Sequence, residues 1–230
     1  GREHLAHHAE SVGLLGVDRV TGEHELLRLA RTELPGVREV LDAAHAEAGA
    51  DDAPGLWVMM ETAAGLLNPP TVAETGRTHG GRLDCFVVGL NDLRKETGIA
   101  DIPGRPFLVP LLLQVVVAAR ACGLDVIDAV FNDFADTDGF AAECLQGRHM
   151  GFDGKMLIHP AQIDPANDAY GVSEAAAAEA LAVVAAFAAP DNAGKAVVSI
   201  AGRMVEKLHA EQAGRVLAKA DLINERKKTA

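Results

Sequence analysis

Four times along this chain a compact apolar run stops at polar residues, and helical segments stand between the runs. Leu56 to Met60 stops at Glu61, and Leu83 to Val88 stops at Gly89-Leu90-Asn91-Asp92. Val126 to Phe131 stops at Asn132-Asp133, and Lys155 to Ile158 stops at His159-Pro160. Short unbroken apolar runs suit strands covered on both faces, as in a parallel sheet. Helices are expected from Leu111 to Cys122 and from Thr137 to Gly147, and strands alternating with helices call for a parallel sheet under a helical layer. In a (β/α)8 barrel the carboxyl ends of the strands carry the active site, and here those ends are where the polar residues stand.

Length and charge narrow the partners. A chain of 230 residues suits one domain or two small ones. Nearly half of it is apolar, mostly Ala, Val and Leu, enough for a sizeable core. A formal charge of −12 argues against a general basic surface for nucleic acid, while leaving room for a local basic pocket. Cys85, Cys122 and Cys144 are far apart with no CxxC spacing. They read as small buried residues in a reducing, cytoplasmic setting. The most apolar run, Phe107 to Ala119, is too short to cross a bilayer, so no membrane partner is expected.

Ahead of the first run, His4, His7 and His8 suggest a helical fragment or frayed terminus, with a metal cluster as the alternative. Val12 to Val20 reads as one further strand and Glu23 to Ala48 as helical, interrupted at Pro35. Past residue 172 the Ala-rich stretch Glu174 to Ala189 and a last helix, about Gly202 to Arg226, form a C-terminal helical extension. The expected division is therefore a barrel domain over residues 1–172 and the extension over 173–230.

Glu61 and Asp92 are the leading candidates for chemistry. Each follows a strand-like run, so neighbouring strand ends would bring the two carboxylates together. Magnesium takes one or two protein carboxylates, keeps water, and accepts substrate oxygens for the rest of its shell. The competing reading makes both residues helix N-caps or surface acids. Asp84 is an alternative second ligand, but it lies inside its run.

Three blocks carry a resemblance. Trp57 to Leu67 (WVMMETAAGLL), Val87 to Gly98 (VVGLNDLRKETG) and Gly151 to Ile163 (GFDGKMLIHPAQI) resemble, in order, the citrate lyase beta-subunit and malyl-CoA lyase family of the HpcH/HpaI aldolase/citrate lyase superfamily. The likeness runs from about residue 54 to about 224. It implies a TIM (β/α)8-type barrel with a C-terminal helical extension. Glu61 matches the glutamate of the family's IET motif and Asp92 the aspartate of its G-x-x-D-L motif, the two magnesium ligands. The resemblance also implies an acyl-CoA or acyl-carrier thioester substrate and a homo-oligomer, a trimer or hexamer.

Other residues take roles through the same likeness. Gly151 to Ile163 matches a CoA-contacting loop and final strand. There Gly154 would let the backbone approach the ligand, and Lys155 would meet a phosphate or remain a solvated charge. His159 would orient an acid, contact substrate, or serve structurally. Asn132, Asp133 and Asp136 match a polar cluster read as supporting. Arg105 matches a Gly-Arg that would contact CoA phosphates, with a loop salt bridge as the other reading. Glu206 stands where relatives carry an acid/base aspartate on a segment reaching over a neighbouring subunit; an exposed helix glutamate is the alternative.

The family's early strands, with an acidic cluster, an R-x-N arginine and a P-K lysine, have no counterpart ahead of Glu61. The barrel is thus expected to be incomplete, with about five parallel strands, leaving sheet edges to be covered. A truncated gene product, a domain completed by another chain, and a protein that has lost catalysis all fit. The expected function is a magnesium-dependent carbon–carbon lyase cleaving malyl-CoA, citramalyl-CoA or a citryl thioester. The alternatives are a malyl-CoA thioesterase and a catalytically impaired binding or assembly subunit.

Overall fold

The structure is a computed structural model, and it describes residues 55–77 and 83–229. The expected strand at Val12 to Val20, the helix at Glu23 to Ala48 and the histidine cluster lie outside these residues. The described residues fall into two units, divided after Tyr170.

The first unit is built on a four-stranded parallel sheet in which spatial order follows chain order. The strands are β1 (Leu56–Met60), β2 (Leu83–Val88), β3 (Asp125–Asp128) and β4 (Gly154–Lys155). Between them run α1 (Ala63–Leu67), α2 (Pro69–Arg77), α3 (Leu90–Thr97), α4 (Val109–Ala121) and α5 (Thr137–Met150). After β4 a 3-10 turn (Pro160–Gln162) leads into α6 (Ile163–Tyr170).

The register explains the burial. Val58, Phe86 and Val126 form one cross-strand row and Met60 pairs with Val88, all facing the helices. Leu112, Val115 and Ala119 of α4 close over this face and are 0% exposed. A fully buried side chain of this size contributes about 1.5–3 kcal/mol. The opposite face is covered less: Trp57 and Met59 of β1 are 45% and 40% exposed. Among the described residues the sheet stays open, a parallel arc of barrel type with four strands, and the fifth expected strand is not among them.

β1 and β2 match the apolar runs residue for residue. β3 and β4 stop sooner than the runs that announce them, because only two residues of β4 pair with β3. Val130, Phe131, Leu157 and Ile158 therefore continue as loop, not strand. Helix ends follow local chemistry. The Asp136 carboxylate accepts the Gly139 amide at 2.9 Å to start α5, and Gly151 at φ 98° ends it.

The second unit holds α7 (Glu174–Ala188), an antiparallel hairpin of β5 (Val197–Ile200) and β6 (Arg203–Glu206), and α8 (Lys207–Thr229), which packs along α7. The hairpin corrects the expected helix from Gly202, since α8 starts five residues later. Ala201 and Gly202 both have positive φ, 49° and 78°, as a tight two-residue hairpin turn needs. The stretch Pro160–Ala188 reaches a mean hydropathy of 1.5 and is long enough by composition to cross a bilayer. It is not one unbroken α-helix, however: α6 ends at Tyr170, and the Ser173 hydroxyl accepts the Ala176 amide at 3.2 Å to start α7 afresh.

Candidate functional site

Glu61 leaves the end of β1 and is buried, at 9% exposure. Its carboxylate packs against Gly89, the residue that opens α3. A β-carbon placed on Gly89 would lie 2.6 Å from the Glu61 β-carbon and 2.7 Å from Oε2, so any side chain there must displace Glu61. Asp92 follows three residues on, exposed, in the first turn of α3, where the helix dipole favours a carboxylate. Neither acid is an N-cap: Thr62 caps α1, and Gly89 stands at the cap of α3.

Two hydrogen bonds tie the segments bearing these acids. The Gly89 amide donates to the Met60 carbonyl at 3.1 Å, and the Ala63 amide donates to Glu96 Oε2 at 2.9 Å. The end of β1 is thereby held to both ends of α3. Among the described residues no group of three or more His, Cys, Asp or Glu is placed to hold a metal. A metal here would rest on the two oxygen donors, with water and substrate completing its shell. That donor set suits magnesium, and the glycine cradle leaves the Glu61 carboxylate its space.

The other strand ends form a rim. The Asn91 and Asn132 side-chain amides pair reciprocally at 3.2 and 2.8 Å. Phe134 stacks on His159, with ring centroids 4.6 Å apart and 13° between planes. His159 Nδ1 accepts the Ala161 amide at 3.2 Å, so one ring nitrogen is already used structurally. Gln162, 2% exposed, donates to the Phe131 carbonyl and accepts the Ile158 amide, joining the loops after β3 and β4. Sequence reasoning named Asn132 only as support and missed Asn91 and Gln162. The Asn91 signal was its place beside Asp92; nothing local marks Gln162.

The side chains of Arg105 and Lys155 do not meet a surface open to phosphate. Arg105 is forked onto Asp128 at 2.7 and 3.0 Å, and its Nε also donates to Gln146 at 3.1 Å. Lys155 Nζ donates to Glu143 Oε1 at 2.7 Å and to Asp128 Oδ2 at 3.3 Å. The side chains of Arg105 and Lys155 are 1% and 0% exposed. Both charges are thus neutralised inside the fold, which corrects the phosphate reading of each in favour of internal ion pairs. Burial pulls the Arg105 pKa down, but the Asp128 carboxylate outweighs it and holds the group above its ordinary value. Arg105 is at φ 51°, and the forked pair holds it there. Gly154 pairs with Ile127 in the sheet, and its missing side chain makes room for that residue.

Burial pushes the Tyr170 hydroxyl well above its usual range, with Asp128 adding to the effect. It likewise raises the Cys144 thiol to about 11. Glu206 ends β6 in the second unit, half-buried, and its backbone amide donates to His209 Nδ1 at 2.9 Å.

An open parallel sheet under helices, spatial order following chain order, defines an α/β fold of barrel type. Residues 28–160 match the model of the HpcH/HpaI aldolase/citrate lyase family. The chain belongs to that family. It is 40% identical over 222 residues to a (3S)-malyl-CoA thioesterase of Cereibacter sphaeroides, covering 94% of this chain and 76% of that protein. It is 33% identical to a mitochondrial citramalyl-CoA lyase of Mus musculus, over 73% of this chain and 51% of the other. Among solved structures, a citrate lyase of Burkholderia xenovorans matches with a TM-score of 0.67 at 18% identity, over 83% and 61% of the two chains, a likeness of fold. The CitE protein of Mycobacterium tuberculosis, in complex with magnesium, acetoacetate and coenzyme A, matches with a TM-score of 0.58 at 25% identity, over 78% and 65%. The chain thus spans under two-thirds of either solved structure.

Proposed function

We propose that this chain carries the magnesium-dependent site of an enzyme acting on a 3-hydroxyacyl-CoA thioester of the malyl-CoA type, and that its reaction is hydrolysis of the thioester. One observation carries the site: the buried Glu61 carboxylate seated against Gly89 at the start of the helix that bears Asp92. The choice of hydrolysis rests on the 40% identity to a malyl-CoA thioesterase across three-quarters of that protein. This reorders the expectation from the sequence, where carbon–carbon cleavage came first.

Glu61 and Asp92 would hold the ion, and the bound magnesium would supply Lewis-acid stabilisation of negative charge on a substrate oxygen. The chain's own part is to fix those two oxygens and to keep the rim in place through Asn132, Gln162 and His159. His159 Nε2, the ring nitrogen not used in that structural bond, is the proposed substrate-side contact. Glu206 is the proposed acid/base group, supplied by a partner subunit. Cytoplasmic location and assembly as a trimer or hexamer belong to the same reading.

Carbon–carbon cleavage is the second reading, favoured by the citramalyl-CoA lyase likeness. One assay separates the two. Malyl-CoA is incubated with the chain and magnesium, and free thiol and glyoxylate are followed together. Hydrolysis gives free coenzyme A and malate with no glyoxylate. Cleavage gives acetyl-CoA and glyoxylate with no free thiol. Appearance of neither product at any magnesium concentration would overturn both and leave a binding or assembly role.

A further inference from the structure

The metal-site reading leaves open what holds Asp92. Glu61 is fixed by burial and by the glycine it packs against, whereas Asp92 is exposed on the first turn of a helix only eight residues long. A short helix has few bonds of its own and frays at its ends. The cap of α3 offers no side-chain hydrogen bond, since the capping residue is Gly89. The Gly89–Met60 hydrogen bond and the buried Leu90 and Leu93 seat the helix on the sheet, but neither reaches the outward side of the turn that carries Asp92.

The exposed Asn91–Asn132 pair is the side-chain contact present on that outward side. Both amide groups are used twice, each as donor and as acceptor, at 2.8 and 3.2 Å. A reciprocal amide pair fixes two planes in one relative orientation, which a single hydrogen bond does not. The residues are 41 positions apart, so the pair joins the start of α3 to the loop after β3.

That loop is itself anchored. Gln162, buried at 2%, donates to the Phe131 carbonyl at 2.9 Å and accepts the Ile158 amide at 3.0 Å. Phe131 meets Phe140 edge to face with centroids 5.9 Å apart, and Phe134 stacks on His159. Asn132 lies between Phe131 and Phe134 and is therefore held from both sides. Its exposed amide projects from this anchored backbone and is the partner on which Asn91 closes.

From this geometry we propose that Asn132 is a positioning residue for the divalent metal: through its reciprocal amide pair with Asn91 it sets the first turn of α3 and so the Asp92 carboxylate opposite Glu61. The inference rests on the metal-site reading above. It adds a residue from a third strand end to a site otherwise built on two. Outer-shell groups that orient ligands are typically worth 10–100-fold in metal affinity. Asn132 acts one residue removed from the ligand, which places it at the low end.

The test uses manganese as the probe, bound to the full chain and followed by the paramagnetic signal of the free ion. Wild type, Asn132→Ala, Asn91→Ala, the double variant and Glu61→Gln are compared, with thermal melting of each. Asn132→Ala and Asn91→Ala are each expected to weaken manganese binding about 10-fold, with melting temperatures unchanged. The double variant is expected to be no weaker than either single one, because both singles break the same pair. Asn132→Ala binding as tightly as wild type, while Glu61→Gln has lost the ion, would overturn the positioning role alone. So would losses that add in the double variant, or affinity falling in step with melting temperature. Absence of binding by wild type, or binding by Glu61→Gln at wild-type strength, would overturn the metal-site reading itself.

Discussion

The Glu61 carboxylate occupies the space that a side chain on Gly89 would need: a β-carbon there would come within 2.7 Å of Oε2. The acid at one strand end and the glycine at the next are thus a single steric unit.

Gly89→Ala should therefore act on the metal before it acts on the fold. The added methyl displaces Glu61, while the Gly89 φ of −107° is open to alanine. Overpacking of this kind costs about 1–3 kcal/mol. The expected result is a chain that still melts cooperatively, with manganese affinity reduced more than 10-fold, as read by titration of the free ion.

Glu61→Gln and Asp92→Asn keep shape and remove charge. Each should lower thioester turnover by more than about 100-fold at sub-millimolar magnesium, beyond what outer-shell groups are worth. High magnesium should recover part of the Asp92→Asn rate and little of the Glu61→Gln rate, because Asp92 is exposed and Glu61 buried. Chelation of wild type followed by magnesium add-back should restore the rate in full. Turnover unaffected by chelation would remove the metal from the reaction.

Arg105→Ala should be among the most damaging changes in the first unit. It leaves Asp128, 0% exposed, with Lys155 as its remaining cation at 3.3 Å. Breaking a buried pair from one side typically costs 3–5 kcal/mol. Urea unfolding is the measurement. A loss under about 1 kcal/mol, the range of surface pairs, would show that the pair is solvated in solution.

The cysteines separate by accessibility. Cys85 and Cys144 are buried and Cys122 half-buried, so a thiol reagent should label Cys122 alone in the native chain and all three in urea. Cys144 also predicts alkaline behaviour. Burial raises its pKa from 9.0 to about 11. The folded chain keeps a proton that the unfolded chain has released. The associated stability is present in full below pH 9 and is lost as pH rises towards 11. Melting temperature should fall across that window, and less so in Cys144→Ala.

What could be read from the sequence follows from how far each feature reaches. β2 was legible because burial on both faces leaves an unbroken apolar run, β1 because its residues are apolar on both faces although Trp57 and Met59 stay exposed, and Glu61 and Asp92 because they follow those runs. β3 and β4 were overestimated, since apolar residues past Asp128 and Lys155 look the same whether or not a neighbouring strand pairs with them. β6 was taken into the last helix because Arg203, Met204 and Glu206 also favour helix, although the Ala201–Gly202 turn and the largely β-branched Val197–Ile200 before it were there to be weighed. Of the two readings of Arg105 the salt bridge holds, but its partner Asp128 lies 23 residues away, and no local pattern reports which acid that is or that the pair is buried. The Asn91–Asn132 pair, 41 residues apart, escaped for the same reason.

The ion cluster around Asp128 also shapes how an anionic ligand would arrive. Arg105 and Lys155 are matched inside by Asp128 and Glu143, so the group is neutral as a whole and two cations are withdrawn from the surface. The formal −12 of the chain is unchanged by this neutral group, and two fewer cations stand at the surface of the first unit to offset it. A polyphosphorylated thioester would approach against a repulsive field that reaches about 10 Å at 0.1 M salt. Capture of such a ligand would quicken as salt is raised, opposite to the behaviour of a protein that draws anions in by long-range attraction.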